Sequence, residues 1–174
     1  MILLIGPSAV GKTEVGKKLI DLGYDKLVTY TTRSPRINEL DGRDYHFITL
    51  EKFQNLKRCN FFLESVNYAN NFYGTAFEDV ADNKFAIVEP NGLSNYKKNK
   101  INVIAFFLQA KRETRRERML LRGDAITDIE RRLKIDDSYF NNEVKDLCDY
   151  VIDVDDISIC EIANKIDSFY KNTR

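Results

Sequence analysis

The first twenty-three residues constrain this chain more than any other stretch. Residues 1–5 are apolar throughout, Gly6 and Gly11 bracket four residues, and Lys12-Thr13 open a run in which Val15, Leu19 and Leu22 fall on one helical face. Gly23 can end that helix. A strand feeding at once into a helix cannot turn back as a hairpin. It must cross over and start a second strand parallel to the first, which commits the chain to an α/β sheet covered by helices.

The rest of the sequence repeats that alternation. Strands are expected at residues 26–31, 45–48, 61–67, 84–89, 101–108 and 150–154. The run "INVIAFFL" is almost wholly apolar, as a strand covered on both faces should be. Near the end, Ile159, Ile162, Ile166 and Phe169 recur at the 3, 4, 3 spacing of a core-facing helix, with Asp155 or Asp156 in position to cap it. Between about 33 and 80 the strands shorten and helices become few, which reads as a small lobe inserted into the sheet domain. The expectation is one domain with a parallel central sheet flanked by helices and an inserted small lobe.

Composition removes some classes. Lys plus Arg and Asp plus Glu are both 27, so no net charge draws the chain to nucleic acid or an anionic membrane. Cys59, Cys148 and Cys160 stand apart without a CxxC spacing, which suits a reducing compartment and reads as three small core residues. Residues 1–5 are too short for a membrane span or signal h-region, and a turn follows. The chain reads as soluble and cytoplasmic.

Gly6-x-x-x-x-Gly11-Lys12-Thr13 fits the P-loop pattern, after a strand and opening a helix. Glycines let successive backbone N–H groups curl around phosphate oxygens, and the helix end behind them is positive. A lysine reaches the outer phosphates and a hydroxyl reaches Mg²⁺. Gly6, Pro7, Ser8, Ala9, Val10, Gly11, Lys12 and Thr13 are therefore expected to hold ATP phosphates, with Thr13 a direct metal ligand.

The receiving side is read from "TYTTRSPRINELDGRDYHF". Arg33 and Arg36 flank a proline, and Tyr45 follows an acidic turn. Two guanidinium forks and a phenol can grip a dianionic phosphate. The competing reading is a solvated loop in which the arginines pair with Glu39, Asp41 or Asp44. Further on, "FFLESVNYANNFYGT" sets Glu64 within an apolar strand, ahead of Tyr73-Gly74-Thr75. A carboxylate there needs water or donors. Guanine offers two adjacent donors, N1–H and the 2-amino group, and adenine does not.

In "KRETRRERMLLRG", only Met119, Leu120 and Leu121 are apolar, so most of this helix cannot be core. Arg118 and Arg122 are four apart on one face, Arg115 extends it, and Gly123 allows a break before Arg131 and Arg132. Arg112, Arg115 and Arg116 read as a solvated face paired with Glu113 and Glu117. His46, the single histidine, reads as structural and argues against a triad mechanism.

Taken together, "GPSAVGKT", "TYTTRSPRINELDGRDYHF", "FLESVNYANNFYGT", "RERMLLRG" and "ERRL" resemble, in order and spacing, the guanylate kinases. The resemblance covers almost the whole chain. It implies a core at about 1–32, 82–112 and 132–174, an acceptor-binding lobe at about 33–81 and a lid at about 113–131. It implies that Arg33, Arg36, Tyr45 and Tyr73 hold the acceptor phosphate, while Thr29, Glu64, Thr75 and Asn91 read the base. Lys12, Arg118, Arg122 and Arg132 would serve the transferring group. Where the family has two aspartates one residue apart, this chain has Glu89 and Asn91, and Glu89 would orient metal-bound water. Val154 and Ala9 stand where the family often has asparagine and glycine. The implied reaction is Mg²⁺-dependent transfer from ATP to GMP, with dGMP a second acceptor. Two alternatives stay open. One is a P-loop kinase for another nucleoside monophosphate or a sugar bisphosphate; the other is a non-catalytic protein-binding module like the guanylate-kinase-like domains of scaffold proteins.

Overall fold

The computed structural model describes residues 1–35, 39–68, 70–99 and 101–173, and Tyr68 only in its backbone. The first strand, β1 (Ile2–Ile5), is buried over its whole length. Its residues alternate between two cores, because successive strand side chains point to opposite faces. Ile2 and Leu4 join Val15 and Leu19 of α1 (Lys12–Asp21) and Ile162, Ile166 and Tyr170 of α7 (Ile159–Asn172). Leu3 and Ile5 join Leu93 and Tyr96 of α3 (Pro90–Lys98) and Val144 of α6 (Asn142–Asp146). Helices therefore cover both faces of the sheet.

That sheet has five strands. In order they are β2 (Asp25–Lys26), β7 (Lys84–Ile87), β1, β8 (Ile104–Gln109) and β9 (Tyr150–Asp153), and every pair is parallel. The strand order reverses direction of growth at β1, which places the glycine loop at the switch point where open α/β sheets bind ligands.

A second sheet stands apart from it, ordered β4 (His46–Phe47), β3 (Tyr30–Thr31), β6 (Asn71–Ala76) and β5 (Phe62–Tyr68). Its back is packed by α2 (Leu50–Arg58), whose Phe53 stacks on Phe62 at 4.5 Å. Gly74 makes that packing possible: a Cβ there would meet Phe62 at 2.8 Å and Phe53 at 3.1 Å. Its neighbours Tyr73 and Thr75 consequently point to the opposite face, together with Glu64, which is directly paired with Thr75.

Several expectations are corrected. Residues 26–31 do not form one strand: Asp25–Lys26 pairs with β7, whereas Tyr30–Thr31 pairs with β4 and β6. The segment crosses between sheets because Leu27 N–H still reaches Phe85 O, at 2.8 Å, while Thr29 O already accepts His46 N–H, at 2.9 Å. Strand β6 was not expected. It closes a hairpin with β5 around Asn70, whose φ of +61° suits asparagine. Helix α7 is capped by Ser158, which forms a capping box with Glu161, rather than by Asp155 or Asp156. Phe169 lies outside, stacked on Tyr150, and Tyr170 takes the core position. Leu22 is also exposed, just past the end of α1. Cys59 and Cys160 are exposed and Cys148 is half-buried, so two of the three cysteines are not core.

The arginine-rich segment folds as α4 (Arg112–Leu121) and α5 (Ile126–Tyr139), broken at Gly123, whose φ is +85°. Met119, Ile129 and Leu133 pack between them in a small separate cluster. No helix among the described residues is long and apolar enough to cross a membrane.

Candidate active site

The glycine loop, Gly6–Thr13, links β1 to α1 in a conformation only part of which ordinary residues accept. Gly6 has φ of +146°, and a Cβ there would stand 2.2 Å from Leu108 O of the neighbouring strand. Gly11, at φ of +98°, caps α1 without a side-chain bond, leaving the helix's first N–H groups facing the loop. Lys12 Nζ donates to Gly6 O at 2.5 Å and to Pro7 O at 2.8 Å. Burial lowers the Lys12 pKa, and the carboxylates of Glu89 and Asp136 partly restore it. Thr13 is exposed at the first turn of α1.

Across the sheet edge, the face of the second sheet opposite Phe53 carries two clusters. In the first, the Arg33 guanidinium lies over the rings of Tyr45, at 5.3 Å, and Phe47, at 5.8 Å. Tyr73 meets Tyr45 edge-on at 6.1 Å. Arg33 Nη2 donates to both carboxylate oxygens of Glu39, at 2.8 and 2.9 Å, with both side chains largely buried. Burial raises the Tyr45 pKa, and Tyr73 raises it further. This cluster is a guanidinium flanked by phenols and neutralised by one internal carboxylate. Arg36, expected beside it, lies outside the described residues.

The second cluster is built on Glu64 and Thr75. Thr75 is buried, and its Oγ1–H donates to Glu64 Oε1 at 2.8 Å across the β5–β6 pair. Burial raises the Glu64 pKa, and the Thr75 bond opposes the shift. Tyr96 reaches the same place from α3. Its hydroxyl is buried beside the Thr75 hydroxyl; burial drives its pKa upward and Thr75 opposes the shift. Thr29 is half-buried and Asn91 is exposed on the first turn of α3; no side-chain hydrogen bond joins either to the two clusters. Glu89 caps the start of α3. Desolvation raises its pKa, Lys12 lowers it, and Asp136 raises it again, so these three charges share one neighbourhood.

The arginines of α4 and α5 divide into three groups. Arg118 reaches the glycine loop and the end of β9, donating to Ala9 O and Val154 O, each at 3.3 Å. Arg122 and Arg132 converge on Asp124: Arg122 Nε donates to Oδ1 at 3.1 Å, its Nη2 bonds Oδ2, and Arg132 Nη1 donates to Oδ2 at 3.3 Å. The Arg122 guanidinium holds the Asp124 pKa down.

Arg112, Arg115 and Arg116 correct the sequence reading. Their partners come from α5, not from Glu113 and Glu117: Arg112 pairs with Asp137 and Glu130, and Arg116 with Glu130. Arg115 is not solvated at all. It is 5% exposed and meets Asp137 at 2.7 Å and Asp136 at 3.5 Å. Asp136 also accepts the Ser8 N–H at 2.8 Å. Sequence reasoning missed Asp136, although Ile129, Leu133 and Asp136 follow helical spacing and set an acid on an apolar stripe. His46 packs its ring 4.6 Å from Tyr30, in keeping with a structural role.

Oxygen donors near the loop are the Thr13 hydroxyl and the Glu89 carboxylate, hard ligands of the kind Mg²⁺ takes when phosphates and water complete its shell. Among the described residues, no group of three or more His, Cys, Asp or Glu forms a metal cage of its own. The Thr13 and Glu89 oxygens suit a cation brought in with phosphates.

Residues 1–172 match the family model described as guanylate kinase. The guanylate kinase of Aster yellows witches'-broom phytoplasma is 34% identical over 134 residues, covering 71% of this chain and 64% of that protein. The guanylate kinase of Onion yellows phytoplasma (strain OY-M) is 32% identical over 179 residues, covering 96% of this chain and 81% of the relative. In structure, the guanylate kinase of Anaplasma phagocytophilum superposes with a TM-score of 0.76 at 24% identity, over 99% of this chain and 85% of that one. That likeness speaks to the shared fold.

Proposed function

The chain belongs to the guanylate kinase family, and from that premise we propose that it transfers the γ-phosphoryl group of ATP to GMP, giving ADP and GDP. The observation that carries this reading is the Glu64–Thr75 pair: a half-buried carboxylate held by a buried hydroxyl on the same face as Arg33, Tyr45 and Tyr73. A carboxylate with a free oxygen takes guanine's two adjacent donors, and the arginine–phenol cluster takes the acceptor's phosphate. In this assignment the core spans about 1–32, 82–112 and 132–174, the acceptor lobe about 33–81 and the lid about 113–131. Thr29, Arg36 and Asn91 complete the acceptor site.

The residues present are well matched to the chemistry. A phosphate monoester has its second pKa near ~6, so the acceptor is already a dianion at neutral pH and no general base is needed. One acceptor oxygen attacks the γ-phosphorus as the bond to the β–γ bridging oxygen breaks, and ADP leaves with that electron pair. What the protein must supply is alignment of two mutually repelling anions and compensation of charge on the transferred group. Lys12 exchanges the Gly6 and Pro7 carbonyls for phosphate oxygens. Arg33 exchanges Glu39, and Arg122 and Arg132 exchange Asp124. Each cation is thus already positioned by an internal acceptor of the same geometry as the one it will meet. Arg118 stays with the glycine loop. Thr13, with Glu89 through water, would hold a Mg²⁺ brought in with ATP, which would supply charge neutralisation on the outer phosphates. Closure of α4 and α5 would exclude water as a competing acceptor. The substrates place the reaction in purine nucleotide metabolism, and the three free cysteines suit a reducing compartment such as the cytoplasm.

Steady-state phosphorylation of GMP, dGMP, AMP, CMP, UMP and IMP at fixed ATP and Mg²⁺ tests the proposal. Preferential formation of GDP is expected; no GDP anywhere in the panel, or equal use of AMP, would overturn it.

A further inference from the structure

The glycine loop is tied to the lid helices through its tip. Three contacts make the tie, and all involve the two residues least able to hold themselves. Ser8 gives its N–H to Asp136 Oδ2 at 2.8 Å. Ala9, whose φ of +62° is a conformation that favours glycine, gives its carbonyl to Arg118. The Ala9 methyl packs against the Met119, Ile129 and Leu133 cluster between α4 and α5. Asp136 is itself 8% exposed and is held from behind by Arg115, which is 5% exposed. An acid buried this deeply is costly unless it is fully partnered, and its partners here are the loop and one buried arginine.

Position adds a second argument. Asp136 lies four residues after Arg132, so both project from one side of α5. The same helix that presents an arginine toward the transferring group also holds the loop that receives the donor phosphates. A rotation of α5 that moved Arg132 would pull on Ser8.

We propose that Asp136 is a positioning residue for the donor: by accepting the Ser8 N–H it holds the loop tip in the conformation that receives ATP phosphates and locks that loop to the helix carrying Arg132. The inference rests on the phosphotransferase reading above and goes beyond it, since it gives Asp136 a role through the loop backbone. Its carboxylate acts on the loop backbone and lies within the field of Lys12.

The test compares Asp136→Ala, Asp136→Asn and the double variant Arg115→Met with Asp136→Asn. Asparagine retains a side-chain oxygen for the Ser8 N–H, while alanine does not. The double variant also removes the buried charges, so that a stranded arginine cannot be mistaken for the effect. ATP binding by calorimetry and the separate KM values for ATP and GMP are measured in each. Asp136→Ala is expected to weaken ATP about tenfold, as for loss of a bond to a charged acceptor, with the GMP KM changed less than about twofold. Both asparagine variants are expected to stay within about threefold of the unsubstituted protein. In the unliganded protein, NMR exchange of the Ser8 amide should be slow with aspartate or asparagine at 136 and fast with alanine. ATP binding unchanged in Asp136→Ala, an equal loss for both nucleotides, or an asparagine variant as impaired as alanine would overturn the proposal. Failure of the unsubstituted protein to bind ATP would instead refute the phosphotransferase reading.

Discussion

Replacing Glu64 with glutamine separates base recognition from folding. Thr75 donates to Glu64 Oε1, so one oxygen of the carboxylate is already committed and the other, with the remaining lone pairs, is left for the base. In Glu64→Gln the retained oxygen can keep Thr75, but an NH₂ then faces guanine's donors. One charge-assisted hydrogen bond disappears, at a cost of roughly 1.5–3 kcal/mol, and a donor is left facing donors, costing roughly 1–3 kcal/mol more. A combined loss of about 3–5 kcal/mol is a fall of roughly two to three and a half powers of ten in kcat/KM for GMP. Stability should move the other way. Burial raises the Glu64 pKa in the folded protein, so ionisation costs folding free energy once the pH exceeds the unfolded value. That penalty grows as pH rises toward the folded pKa and is then constant. Glutamine never incurs it, so the variant should be at least as stable as the parent at pH 7, with the advantage vanishing under acid. For the same reason the GMP KM of the parent should rise more steeply as pH falls through the raised pKa than that of the variant, which follows only the titration of the acceptor phosphate near ~6. A coupled ADP-release assay run from pH 5 to 8, with urea denaturation alongside, measures both. If Glu64→Gln retains kcat/KM for GMP within about fivefold, or loses GMP and AMP equally, the assignment of Glu64 to the base is wrong.

Three further outcomes follow from particular contacts. Lys12→Ala, which removes the side chain bonded to the Gly6 and Pro7 carbonyls, should lower kcat by roughly 10²–10³-fold. Its thermal midpoint should shift by only a few degrees, as a calorimetric scan would show. Gly16→Ala offers up to about 1 kcal/mol of helix propensity, yet its Cβ would sit 2.8 Å from the buried Phe85 ring. Overpacking of roughly 1–3 kcal/mol should win, lowering the urea midpoint; a higher midpoint would contradict this packing. Tyr96→Phe removes a buried hydroxyl set beside Thr75 and should change stability by no more than about 1 kcal/mol in urea denaturation, without changing the m-value.

What could be read without a structure was whatever a short stretch of chain decides alone. The β1–loop–α1 unit was legible because Gly6 and Gly11 answer to local backbone demands and the apolar run beside them has one period. The blocks around Arg33, Glu64 and Thr75 were legible because a costly residue in an apolar or tightly turned setting announces a purpose. Their assembly was not. Residues 26–31 look like one strand, but which sheet each half joins depends on the hydrogen-bond edges presented by β7 and β4, far away in sequence. Strand β6 escaped notice because its polar residues and Gly74 acquire strand character only against β5 and the aromatic rings of α2. Charge partners were equally undecidable. Arg115 reads as solvated from its own helix, and becomes buried because α5 packs over it and brings Asp136 and Asp137. Local sequence thus set the glycine loop and where a guanidinium and a carboxylate stand. Which carboxylate holds each cation was left to tertiary packing, since Coulomb attraction depends on distance in space and takes no account of separation along the chain.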